Sequence, residues 1–135
     1  RILHGNPPVI FGQGSQVRDF VHVRDVAEAN MQAMSKAGHG SVVNVGTGTG
    51  TSVAEIAGLL LKKLDPDMTP VFAPLPDGEP NDSVADVAEL KRVLGFVPGK
   101  RLFEMIDEVI EEKKMQMAKD SRVSSMAQSR LGRSD

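Results

Sequence analysis

Arg18 is the residue that its neighbours equip best to hold an anion. It follows a loop that contains Gly12 and Gly14, and it opens the run Asp19-Phe20-Val21-His22-Val23. A guanidinium at the start of a strand can present its planar fork to a pair of phosphate oxygens. Asp19 and Asp25 could each pair with Arg18 or Arg24, and Asp25 also falls where an acid favours a helix N-terminus. On spacing alone, a surface arginine in a salt bridge is the stronger reading of Arg18. The second candidate is Gly46-Thr47-Gly48-Thr49-Gly50, which follows a β-branched run and precedes a helix start. Amides at such a turn can hold a dinucleotide phosphate. The spacing, however, is G-x-G-x-G, and Asp65 and Asp67 sit at a helix end rather than at the end of a second strand. A structural turn is therefore the stronger reading.

Other chemistries fail sooner. His4, His22 and His39 lack metal-ligand spacing, and Ser15, Ser41 and Ser52 lie outside any G-x-S-x-G elbow. With no Cys, disulfides and thiolate chemistry are excluded, and a reducing, cytoplasmic setting is the expectation. With no Tyr, no phenolic acid or base is available. The net charge of −2 gives no reason to expect nucleic acid as a partner. Residues 1–114 carry 12 Lys/Arg against 16 Asp/Glu, whereas 115–135 carry four against two. No apolar run reaches membrane-spanning length, so no membrane partner is expected. The 135 residues, 40% of them hydrophobic, suffice for one modest domain.

The elements that must position these residues alternate. Val9-Ile10-Phe11 reads as a short strand after the Gly5-Asn6-Pro7-Pro8 turn, and 18–23 as a second. Val23, Val26, Ala27, Asn30, Ala33, Met34 and Ala37 predict a helix ended by Gly38 and Gly40. Residues 41–45 predict a strand. Ser52 and Glu55 form an S-x-x-E capping box, and Val53, Ile56, Ala57, Leu60 and Leu64 are the apolar stripe of the helix it opens. Residues 70–73 read as a strand and 74–82 as a Pro/Gly/acid loop. Asp86 with Glu89 starts a helix through Leu90, Val93 and Leu94. A last helix places Leu102, Ile106, Val109 and Ile110 on one face. The pattern fades from about Lys113, so 115–135 are expected to be a disordered tail. Arg1-Ile2-Leu3-His4-Gly5 has no signal-peptide character and reads as the end of a helix, so preceding sequence is expected.

The segment P-V-I-F-G-Q-G-S-Q-V-R-D-F-V-H-V-R-D-V-A-E-A resembles a signature of the extended short-chain dehydrogenase/reductases, in particular the NAD-dependent epimerase/dehydratase family that acts on nucleotide sugars. V-V-N-V-G-T-G followed by S-V-A-E-I-A, then P-L-P-D-G-E-P-N-D-S-V-A-D, then L-G-F-V-P agree in order. The resemblance covers residues 1–112 and implies an α/β fold. In that fold, 1–114 would be the C-terminal, substrate-binding part of a Rossmann-type enzyme with an incomplete sheet. It implies that the strand at Val9 and Phe11 lies along the nucleotide base, that Arg18 meets the diphosphate and that Glu79 lies near the ribose hydroxyls. Asp25 and Asn44 match characteristic positions read as structural.

Three positions depart from the pattern. Pro76 stands where an Arg is common, Gln13 where Asp or Asn is usual, and Arg101 where Ser or Thr usually caps the last helix. The family's G-x-x-G-x-x-G turn and Y-x-x-x-K pair have no counterpart. The implied NAD chemistry, most simply 4-epimerisation, therefore requires an N-terminal half, and the complete enzyme could be a homodimer. A free-standing nucleotide-sugar binding module and a structural remnant remain open as alternatives.

Overall fold

The computed structural model describes residues 1–36, 40–99 and 102–131, with side chains as far as residue 122. Ala37, Gly38, His39 and Arg101, which entered the sequence reading, lie outside the described residues. The chain divides into two units, Arg1–Lys100 and Arg101–Asp135.

The first unit is mixed α/β with two small, incomplete sheets. A 3-10 turn at Ile2–His4 precedes β1 (Val9–Phe11), which pairs in parallel with β4 (Val71–Ala73). The ladder places Val9 beside Val71 and Phe11 beside Ala73. Bonds from the Val71 N–H to the Pro8 carbonyl (2.9 Å) and from the Gly12 N–H to the Ala73 carbonyl (2.8 Å) extend it at both ends. β2 (Val17–Arg18) lies between β3 (Thr51–Ser52), antiparallel to it, and β5 (Asp82–Ser83), parallel to it. Of the expected strand at 18–23, only Arg18 lies in β2, which begins one residue earlier at Val17. The chain leaves the ladder at Asp19, whose side chain turns into the 46–48 loop, and α1 (Val23–Lys36) begins soon after.

α2 (Val53–Leu64) forms where its local signals put it. The Ser52 hydroxyl accepts from the Glu55 N–H at 3.1 Å, and a Glu55 carboxylate oxygen accepts from the Ser52 N–H at 2.8 Å. The next two amides are satisfied from outside the helix. The Val53 N–H donates to the Gln16 carbonyl (3.0 Å) and the Ala54 N–H to the Gly14 carbonyl (2.9 Å). This docking demands glycine at 14, where φ is 75° and a Cβ would lie 2.9 Å from the Ile10 side chain. α2 therefore joins the 12–16 loop to β1.

α3 (Ala88–Leu94) packs on α1, and their contact is the core. Ala29, Leu90 and Leu94 are buried there, flanked by Ala33, Val43 and Val45. The predicted stripe of α1 is corrected in part by this contact. Val23 and Met34 are 74% and 89% exposed, whereas Ala33 faces inward as expected and is joined there by Ala29, which the stripe left out. Two alanines one turn apart let the helices approach closely, which larger side chains would prevent. Residues 41–45 are not a strand either. Val43 and Val45 face the core while Val42 and Asn44 are exposed, as strand alternation requires. No strand among the described residues is paired with them, so no ladder forms.

The second unit is one helix, α4 (Leu102–Leu131). Met105, Ile106 and Ile110 are its buried residues, whereas Val109, expected on that face, is 47% exposed. The helix continues through much of the segment expected to be a disordered tail. From 111 to 122 every residue except Met117 is exposed. Local pairs support this stretch: Lys114 bonds Glu111 at 2.9 Å and Gln116 bonds Asp120 at 3.3 Å. No described helix is long and apolar enough to cross a membrane.

Candidate functional site

A cleft of about 290 Å³ opens beside β1, near the lower end of the ~300–1,000 Å³ usual for ligand pockets. Strand alternation sends Val9 and Phe11 to its wall and Ile10 into the interior, where it is buried. Val53, Leu75 and Pro76 complete the apolar lining, and Gln16 and Glu79 are its polar side chains. Three residues named from the sequence, Val9, Phe11 and Glu79, thus share one cavity.

Arg18 reaches this cavity through Glu79. Its Nη2 forms an ion pair with Glu79 Oε1, and its Nη1 donates to the carbonyls of Val17 (2.8 Å) and Asn81 (3.4 Å). The salt bridge weighed for Arg18 is therefore present, with a partner 61 positions away rather than a neighbouring aspartate. The Arg18 side chain retains 23% exposure and the Glu79 side chain 43%, so neither is sealed from solvent. Such a pair can be exchanged for a competing anion at modest cost.

Asp19 has a different task from the one its spacing suggested. Its carboxylate accepts from the Thr47 N–H (2.9 Å), the Thr47 hydroxyl (2.6 Å), the Gly48 N–H (2.9 Å) and the Ala85 N–H (3.3 Å). Burial alone would raise this carboxyl, but the hydrogen bonds from Thr47, Gly48 and Ala85 together outweigh it and hold it below the ordinary carboxylate value. Gly46 belongs to the same contact, since a Cβ there would lie 2.5 Å from Asp19 Oδ2 and from the Ala85 side chain. The Gly-rich loop thus does bind an anion, and the anion is the protein's own Asp19.

A second, more polar hollow of about 500 Å³ lies on this side, lined by Asp19, Asn44, Ser83 and Asp86 among others. Asn44 serves a structural bond there, from its Nδ2 to the Asp86 carbonyl at 3.5 Å. His22 is buried, and its Nδ1 accepts from the Arg24 N–H at 3.3 Å. Among the described residues no group of three His, Cys, Asp or Glu converges as a metal site.

The sequence reading missed Gln16. It is 5% exposed, lines the cleft and donates from Nε2 to the Phe11 carbonyl at 3.0 Å. The available signal was an amide residue between a glycine turn and Arg18, five residues after the end of the predicted strand at Phe11.

Comparison with known proteins agrees with this architecture. The model of the NAD dependent epimerase/dehydratase family matches residues 1–46. The UDP-glucose 4-epimerase of Mycolicibacterium smegmatis is 36% identical over 110 residues, covering 82% of this chain and 35% of that protein. The structure of Thermotoga maritima UDP-glucose 4-epimerase with UDP-glucose superposes with a TM-score of 0.82 at 38% identity, over 87% of this chain and 38% of that one. Bacillus cereus UDP-glucuronic acid 4-epimerase, in complex with UDP-glucuronic acid and NAD, gives 0.73 at 28% identity, over 78% and 34% of the two chains. The chain therefore spans roughly a third of the length of the relatives it matches.

Proposed function

The chain belongs to the NAD-dependent epimerase/dehydratase family, and on that premise we propose that residues 1–114 are the nucleotide-sugar-binding region of a UDP-sugar 4-epimerase. The observation that carries this reading is the β1 cleft. It combines an apolar slot for a flat base at Val9 and Phe11, a carboxylate at Glu79 that can accept from ribose hydroxyls, and Arg18 held beside that carboxylate. UDP-sugars are the ligands in the matched structures from Thermotoga maritima and Bacillus cereus.

NAD belongs to this proposal as the cofactor of the complete enzyme; when bound, it supplies transient oxidation of the sugar. The residues of this chain do not fit it. Thr47 and Gly48, in the Gly-rich turn, already donate their amides to Asp19. The sequence also offers no Tyr to act as proton acceptor. The chain by itself binds substrate and does not turn it over, with the chemistry supplied by a cofactor-binding half in a cytoplasmic and, when complete, homodimeric enzyme.

Calorimetric titration with UDP-glucose tests the reading. Binding should be measurable and should weaken by roughly tenfold or more in Arg18→Ala, as expected for loss of a charge-assisted phosphate contact. No heat with UDP-glucose, at concentrations where the chain is folded, refutes the assignment.

A further inference from the structure

We propose that Asp19 is a positioning residue for the diphosphate contact of Arg18: its carboxylate supplies the rung that fixes β5 against β2, and so sets where the guanidinium stands. The proposal rests on the nucleotide-sugar reading of the cleft and adds to it a residue that touches no ligand.

Among the described residues, the Arg18 guanidinium bonds to the Val17 carbonyl, the Asn81 carbonyl and Glu79. The last two partners lie in the neck that leads into β5, so the guanidinium is placed by how β5 sits on β2. Each of these strands is two residues long, so their ladder has few rungs. The Val17 N–H donates to the Asn81 carbonyl (2.7 Å) and the Asp19 N–H to the Ser83 carbonyl (3.0 Å). Rungs are evenly spaced along a parallel pair, so the next donor is the Ala85 N–H, and its regular acceptor would be the Asp19 backbone carbonyl. The Asp19 side chain takes that bond instead, through Oδ2 at 3.3 Å. The same carboxylate holds the Thr47 hydroxyl (2.6 Å) and the Gly48 N–H (2.9 Å). It therefore fastens both β5 and the Gly-rich loop to β2 at the point where the β2 backbone turns away. Arg18 and Asp19 share no side-chain partner among the described residues, so the effect of Asp19 on the guanidinium passes through this ladder. A group held in place before the ligand arrives loses less freedom on binding, and a loosened one binds more weakly.

A double-mutant cycle on the full chain, read as UDP affinity by calorimetry, tests this. Asp19→Ala removes the rung and should weaken UDP about fivefold. In the Arg18→Ala background the same substitution should change UDP affinity by less than about twofold, because the contact it positions is gone. Circular dichroism checks that each variant is folded. If Asp19→Ala is not, the milder Asp19→Asn, which keeps one acceptor oxygen, replaces it in the cycle. Its expected loss is about threefold and again vanishes without Arg18. Unchanged UDP affinity in a folded Asp19 variant overturns the inference. So does a loss of equal size in both backgrounds, which marks a side chain that only stabilises the fold. Both outcomes leave the nucleotide-sugar reading intact. UDP binding that is absent from the wild-type chain, or indifferent to Arg18→Ala, overturns that reading and this inference together.

Discussion

Arg18 and Glu79 meet as an ion pair across 61 positions of sequence, at the wall of the cleft beside β1. Under the proposed function each has another partner in the bound state, phosphate for the arginine and ribose hydroxyls for the glutamate. The pair then holds both side chains near their working positions while the cleft is empty. It also competes with the ligand.

Competition can be isolated with pyrophosphate, which has no ribose to engage Glu79. Glu79→Gln keeps the shape and removes the competing charge. Pyrophosphate affinity should therefore rise by roughly two- to fivefold, the equivalent of the ~0.4–1 kcal/mol of a partly exposed pair. Calorimetry at low ionic strength measures this. An unchanged or lower affinity would mean that Arg18 does not exchange Glu79 for phosphate.

Asp19 should leave a signature in acid. Its folded pKa is depressed, because the bonds from Thr47, Gly48 and Ala85 outweigh the opposing effect of burial. Its contribution to stability is thus complete above the unfolded value, near pH 4, and is lost as pH falls through the lower folded value. Asp19→Asn should cost about 1–2 kcal/mol at neutral pH, because it removes charge-assisted hydrogen bonds from amides that are only partly buried. It should also flatten the fall of Tm below about pH 4. Thermal melts from pH 7 to pH 2 compare the two proteins, and parallel curves would show that this carboxylate does not control acid stability.

What the sequence revealed and what it withheld divide along the range of the interactions involved. α2 was legible in full because its cap and its stripe all lie within residues 52–64. The burial of α1 was not, since it depends on which face Leu90 and Leu94 approach, and they lie far along the chain. The 41–45 segment shows a strand's alternation, yet a strand also needs a partner, which periodicity cannot supply. Asp19 looked like a partner for arginine because its amide donors lie 28 to 66 positions away. Residue types on a spacing template did not bring Val9, Phe11 and Glu79 together; family resemblance pointed to them, and the cleft unites them. Gln16 escaped notice because a polar residue beside a glycine turn ordinarily reads as solvent-facing.

The small core between α1 and α3 makes Leu90 a sensitive position. Leu90 is 0% exposed and packs with Ala29 and Leu94. Leu90→Ala should cost ~2–5 kcal/mol. Met34→Ala, at a position 89% exposed on α1, should change stability by less than ~0.5 kcal/mol. Urea unfolding separates the two, and similar effects would contradict the observed face of α1.

The cap of α2 bears on the cleft as well as on the helix. Ser52 holds the Glu55 N–H, while the next amides, from Val53 and Ala54, are tied to the carbonyls of Gln16 and Gly14. Ser52→Ala should cost about 1 kcal/mol, as usual for loss of a serine cap. The Glu55 carboxyl is held low chiefly by the Ser52 N–H and then by its hydroxyl. Its contribution should therefore persist above its ordinary pKa and disappear as the carboxyl protonates in acid. Because both side chains belong to one reciprocal motif, the Ser52→Ala and Glu55→Gln losses should not add. A double-mutant cycle in urea at pH 7 measures the coupling. Additive losses would show that the two bonds act independently, and a loss confined to nucleotide affinity would place the motif's importance in positioning Gln16 rather than in starting the helix.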